Sequence, residues 1–140
     1  MEFLEKLRPF SLLVIRCALG LIFMVHGYEK FSNGFAGAAH HMTALGIPYY
    51  FGYVVIVLEL GGGALLVLGL LTRLVGCMLA VEMLVAILKV GMTGGVTHVH
   101  SYELPLAVGA AALALGTFGA GPISLDGAFF GAKPRSKPRL

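Results

Sequence analysis

The chain has 140 residues, 58% of them hydrophobic and only 12% charged. A soluble domain is about a quarter charged, and a soluble fold of this size could not hide so much apolar surface, whereas lipid can. The net charge of +3 comes with no nucleic-acid signature, and no charge-rich stretch is long enough for a second domain.

A helix needs about 20 mostly apolar residues to cross the hydrocarbon core of a bilayer. The first such run is Phe10 to Tyr28, opening just after Pro9 and closed by Glu29, Lys30, Ser32 and Asn33. Ala36-Gly37-Ala38 resembles a signal-cleavage site, but Glu29 and Lys30 separate it from the apolar run, so the run is read as a retained span. The second span is predicted from Tyr49 to Leu71, after Pro48. Thr72-Arg73 turns the chain at once into a third, Leu74 to Val90. The run Gly91-Met92-Thr93-Gly94-Gly95 is too rich in glycine for a helix interior. The fourth span is predicted from Tyr102 to Phe118, with Pro105 in its first turn, where proline is tolerated. Gly119, Gly121 and Pro122 end it. Cys17 and Cys77 lie far apart in apolar runs, a pattern of small fillers rather than a dithiol.

Lys and Arg near the spans set the orientation. Lys6, Arg8, Arg16, Arg73 and the tail cations Lys133, Arg135, Lys137 and Arg139 fall on one side of a four-span chain. The other two loops carry only Lys30 and Lys89. The expected fold is therefore all-α, a four-transmembrane-helix bundle with N and C termini cytoplasmic. Residues 1–126 form the transmembrane domain and 127–140 a basic cytoplasmic tail touching lipid headgroups. Gly61, Gly62, Gly63 and Gly69 on the second span and Gly109 to Ala112 with Gly116 on the fourth suit close helix packing.

An ionisable group at mid-bilayer costs at least about 2.5 kcal/mol, so it needs a reason. His26 and Glu29 sit at the outer end of the first span, Glu59 and Glu82 near the middle of the second and third, and Glu103 at the outer start of the fourth. His26, Glu29 and Lys30, spaced i, i+3 and i+4, share a helix face. A polar pocket opening outward is predicted, lined by His26, Glu29, Glu59, Glu82 and Glu103, with His98 and His100 above it. These groups either hold the bundle together as an ion-pair network or serve a polar-headed ligand or proton transfer, and the cost of mid-depth carboxylates favours the second. At a helix N-terminus Glu103 is favoured by the dipole alone. Tyr28, Phe31, Tyr49, Tyr50, Phe51, Tyr53 and Tyr102 suit an interfacial aromatic belt, and equally walls for an aromatic headgroup such as a quinone. His98-x-His100 with His26 and a glutamate has the donor types for a metal ion, yet paired loop histidines are common by chance. No metal, haem or nucleotide site is predicted.

Four stretches carry a resemblance. Arg16 to Phe31 (RCALGLIFMVHGYEKF), with its His-Gly-x-x-Lys-Phe and the adjoining Gly34-Phe35, resembles the first span of the DoxX family. Glu59 to Arg73 (ELGGGALLVLGLLTR) resembles that family's second span and turn. Tyr102-Glu103-Leu104-Pro105-Leu106 is similar to its Tyr-Glu-x-Pro-Leu, and Gly121 to Asp126 (GPISLD) to its closing Gly-Pro-x-Ser-Leu-Asp. The resemblance implies a multi-pass four-helix protein of the bacterial inner membrane with a redox association, since relatives occur as small subunits linked to quinol oxidase or thiosulfate:quinone oxidoreductase activity. Glu82, His98 and His100 fall in none of these motifs.

The expected function is a redox-linked subunit whose pocket binds a quinone or quinol. The expected ligand-binding residues are His26, Glu29, Lys30, Glu59, Glu82, Tyr102 and Glu103. His26 is expected to contact the headgroup, Glu59 and Glu103 to act as proton partners, and Glu82 to tune the pocket. A partner protein subunit would hold the redox cofactor, and a homo-oligomer is allowed. Two alternatives stand beside this reading: a non-catalytic scaffold or assembly subunit, and a small proton-coupled exporter in which Glu59 or Glu82 trades a proton for substrate.

Overall fold

The computed structural model describes residues 2–131, and the described residues are all-helical. Helix α1 runs Glu2–Ser32, α2 Phe35–Ala44, α3 Phe51–Leu68, α4 Thr72–Lys89, α5 Glu103–Phe118 and α6 Leu125–Phe130. Short 3-10 turns at Gly91–Gly94 and Val99–Ser101 link α4 to α5.

The predicted spans coincide largely with α1, α3, α4 and α5, the second overrunning α3 by two residues at its start and three at its end, with two further differences. Pro9 reads in the sequence as the boundary of the first helix but lies inside it. The helix absorbs the missing N–H there, at the cost of one backbone hydrogen bond on a solvent-accessible turn. The segment that reads as a plain outer loop contains α2, which starts after Gly34 at φ 85°. The tail cations Lys133 to Arg139 lie outside the described residues.

Among the described residues, α1 and α3 are long and apolar enough to cross a membrane. Helix α4 has the length but carries Arg73, Glu82 and Lys89, and α5 is apolar but shorter, at 16 residues. Each of the four exposes aliphatic side chains, among them Leu21, Val25, Val57, Leu74, Val81, Leu84, Leu88, Leu106 and Leu113.

The core is small. Leu19 and Phe23 of α1, Leu66 of α3, Val75 and Leu79 of α4, and Val108, Ala112 and Leu115 of α5 meet in it. Helices pack as two close pairs, α1 with α3 and α4 with α5. Glycine makes the first seam: a Cβ added at Gly20 would lie 2.6 Å from the Gly63 carbonyl oxygen, closer than real Cβ atoms approach.

Polar groups tie one end of the bundle. The buried Arg16 guanidinium donates to the carbonyls of Ala120 at 2.8 Å and Ile123 at 2.9 Å. Asp126 accepts from the backbone N–H groups of Leu71 at 2.8 Å and Thr72 at 2.9 Å, capping α4. Ser124 caps α6 by accepting from the Gly127 N–H at 2.9 Å. The Gly-Pro-Ile-Ser-Leu-Asp stretch thus fastens the segment that follows α5 to the α3–α4 turn.

Asp126→Ala is expected to destabilise the protein by about 1 kcal/mol, as for other lost helix caps, and Gly20→Ala by about 1–3 kcal/mol through overpacking. Denaturant titration in detergent followed by circular dichroism measures both.

Candidate functional site

The opposite end of the bundle carries the site. A cavity of about 760 Å³ lies between α1, α2, α3 and α4, with the start of α5 closing one side. Most of its lining is aliphatic or aromatic: Phe23, Phe51, Val54, Leu58, Met78 and Val81 are typical. Several of these, including Phe51, Val54, Met78 and Val81, are also exposed on the outer surface, so the cavity reaches the face between α3 and α4. Its charged lining residues are Lys30, Glu59, Glu82 and Lys89, with His26 and His41 beside them.

Glu59 is placed by an irregularity in its own helix. Leu58–Gly62 forms one turn of π-helix within α3. One extra residue in a turn rotates the two flanking helical segments by about 100° relative to each other. The turn presses closely on α1. A Cβ at Gly27 would lie 2.9 Å from the Glu59 Cβ and 2.8 Å from the Leu60 backbone nitrogen. That approach lets Lys30, one helical turn beyond Gly27, reach the carboxylate. Its ammonium donates to both Glu59 oxygens, at 2.7 and 2.6 Å. The Glu59 side chain is 4% exposed and that of Lys30 33%. A carboxylate this deep is costly unless a counter-charge meets it with good geometry, and this one does.

Glu82 approaches from α4. Its carboxyl lies within hydrogen-bond reach of the Glu59 carboxyl. Its Oε2 is buried and has no hydrogen-bond donor among the described residues.

Of the residues singled out in the sequence, the structure brings together His26, Lys30, Glu59 and Glu82. Glu29, Tyr102 and Glu103 do not line the cavity. The Glu29 side chain is 66% exposed and stands 3.9 Å from the His26 Nδ1. Tyr102 donates its hydroxyl to the Val96 carbonyl at 2.6 Å, bracing the loop. Glu103 pairs with His100, Nδ1 to Oε1 at 3.0 Å, outside the cavity. The expected polar pocket is thus an apolar cavity with one polar wall. Among the described residues no group of three or more His, Cys, Asp or Glu side chains is arranged to hold a metal ion.

One part of the lining is not legible in the sequence. His41, Met42 and Leu45 come from α2 and its end, a stretch that reads as loop. The signal present was Gly34 with ten residues after it that hold no proline and no further turn pair. Ala38 of α2 fits against Gly52 of α3, where a Cβ would lie 2.8 Å from the Ala38 carbonyl carbon. Phe35 stacks on Tyr53 with ring centroids 5.1 Å apart.

The model of the family described as DoxX matches residues 11–92. The chain belongs to the DoxX family. The matched DoxX segment holds His26, Lys30, His41, Glu59, Glu82 and Lys89, every charged or imidazole side chain of the cavity wall. Several relatives share the similarity. "Putative oxidoreductase CatD" of Bacillus subtilis is 40% identical over 78 residues, 56% of this chain and 58% of the relative. "Inner membrane protein YqjF" of Escherichia coli is 37% identical over 70 residues, 50% of this chain and 53% of the relative. The aligned part of the chain therefore spans only a little over half the length of these two. An uncharacterized protein of Haemophilus influenzae is 34% identical over 134 residues, 93% of this chain and 98% of the relative. No solved structure matches the chain.

Lys30→Ala leaves Glu59 without its counter-charge and is expected to cost about 3 kcal/mol, the lower end for a broken buried pair because Lys30 is partly exposed. Replacing both by leucine should recover most of that loss. Denaturant titrations of the single and double variants decide it: an unaffected Lys30→Ala protein would show that the pair carries no structural weight.

His100 lies in the linking loop. Its hydrogen bond to Glu103, and then the Glu103 charge, raise its pKa above the ordinary 6.5. A raised value means the pair's contribution is present at acid pH and is lost as pH rises through the shifted value. A proton NMR titration of His100 should show a midpoint above 6.5 that falls toward it in Glu103→Gln.

Proposed function

We propose that this chain is a multi-pass inner-membrane protein that binds a quinone or quinol in the cavity beside Lys30, Glu59 and Glu82, acting with a partner oxidoreductase subunit. The observation that carries this reading is the combination of one large apolar cavity with a single charged wall. Ligand cavities run from about 300 to 1,000 Å³, mostly apolar with a few placed polar groups, and this one fits that description. A quinone has the matching parts: a ring with two hydrogen-bonding oxygens and a long apolar tail. The ring would sit at the charged wall and the tail would leave between α3 and α4, past Val54, Met78 and Val81. The names of the relatives agree in kind, one reading "putative oxidoreductase" and one "inner membrane protein".

Four crossings with cytoplasmic termini fit the exposed aliphatic faces of α1, α3, α4 and α5. At about 1.5 Å per residue, α4 and α5 reach roughly 27 and 24 Å, close to the thickness of the hydrocarbon core. Arg8, Arg16 and Arg73 then share the cytoplasmic end, and the cavity lies toward the outer leaflet.

A scaffold role is favoured by one observation, the well-made Lys30–Glu59 pair, which is what a purely structural ion pair would look like. Lipid extraction separates the two readings. Protein purified in mild detergent should carry quinone near one equivalent, and His26→Ala should bind it roughly tenfold more weakly, the loss of about 1.4 kcal/mol of headgroup interaction. Folded wild-type protein that carries no quinone, and binds none when it is supplied, would leave the scaffold reading in place.

A further inference from the structure

The Glu59–Glu82 contact is chemically incomplete. Ionised carboxylates are acceptors only, and two of them side by side repel unless a hydrogen lies between them. The ammonium of Lys30 does not supply that hydrogen to Glu82, since it is directed at both oxygens of Glu59. The other titratable side chains facing the cavity are His26 of α1, His41 of α2, and Cys77 and Lys89 of α4. None of them donates to Glu82, whose Oε2 is buried without a donor among the described residues. The α5 residues that line the cavity, Leu104, Pro105 and Val108, carry no side-chain hydrogen-bonding group.

We propose that the Glu59–Glu82 carboxyl pair holds one proton in the ligand-free protein, and that a ligand hydroxyl entering the cavity takes over as the hydrogen-bond donor and releases that proton. This gives Glu82 a direct hydrogen bond from the ligand beside the His26 contact, and it selects a class of ligand. A reduced, hydroxyl-bearing quinol supplies the O–H donor that the pair needs. An oxidised quinone brings only carbonyl acceptors and leaves the proton where it is. The exchange balances without electron transfer: the proton leaves a carboxyl oxygen for solvent, and the ligand hydroxyl, inserted between the two carboxylates, keeps its own hydrogen while donating it to Glu82, with Lys30 still neutralising Glu59. The reading deepens the quinone proposal and rests on it for the identity of the ligand.

Two measurements on the full chain in detergent test it. The first is calorimetric titration at pH 7 with a short-chain quinol, kept anaerobic, and with its oxidised form, each in two buffers of different ionisation heat. The buffer difference counts the protons exchanged on binding. About one proton should be released per quinol bound and close to none per oxidised quinone. Glu82→Gln, whose amide donates permanently to Glu59, should release close to none with either form. Quinol binding to wild-type protein without proton release would overturn the proposal.

The second is infrared difference spectroscopy of wild-type protein carrying isotope-labelled glutamate carboxyls, which needs no variant. A protonated carboxylic acid should be present at neutral pH and should disappear on quinol binding. Its absence at neutral pH would overturn the shared proton outright. Binding of neither quinone nor quinol, with the acid signal present, would sink the quinone reading and the hydroxyl exchange together while leaving the proton on the pair. The two failures are therefore distinguishable.

Discussion

A carboxylate inside an apolar bundle needs a counter-charge, and Glu59 obtains one only because α1 comes close enough for Lys30 to reach it. Much of the local architecture serves that approach. Gly27 removes the side chain that would hold α1 away from the π turn, and Gly20 faces Gly63 further down the same seam. The π turn at Leu58–Gly62 sets the angle at which Glu59 meets its partner. Without these small residues the ammonium would stand off and the carboxylate would be buried alone, which costs several kcal/mol.

The opposite end solves the same problem with reversed charge. Arg16 is buried there and is met by backbone carbonyls at Ala120 and Ile123 rather than by a carboxylate. Asp126 is a few residues further on, but directs its oxygens to the first turn of α4. The two helix pairs are thus bound together at one end. Toward the other end they part enough to leave the cavity between α3 and α4. On the proposed function, a bundle fastened at one end and open at the other suits entry of a quinone from the lipid side, with its polar part stopping at the charged wall.

The helical class and the positions of the long helices were legible because apolar runs broken by proline and glycine are a strong local signal. Pro9 misled, since proline near a helix end reads as a boundary and nothing local says that the helix will carry it. Helix α2 was hidden for a different reason. Its residues are small and mixed, and it is held by the fit of Ala38 on Gly52 and of Phe35 on Tyr53, both tertiary contacts. At the site, depth along the spans was enough to bring Glu59 and Glu82 together, and their cost in lipid marked them as worth explaining. Helical spacing put Lys30 on the face of His26 and Glu29 but did not show which of the three turns toward Glu59. Glu29 turns outward, and Glu103 is held by His100 in the linking loop, so two of the expected carboxylates stand away from the cavity. The π turn left no mark in composition beyond the glycines just after Glu59.

The central claim is that the cavity between α3 and α4 receives a quinone, head toward Lys30, Glu59 and Glu82. Photo-crosslinking with a quinone carrying an azide on its ring tests it most directly, with labelled peptides mapped by mass spectrometry. The account predicts labelling on the cavity-facing residues of α1, α3 and α4, around His26, Leu58 and Met83, suppressed by excess unlabelled quinone. Labelling spread over the outer faces of the helices, unaffected by competitor, would mean that the probe only sampled surrounding detergent or lipid, and would contradict the account.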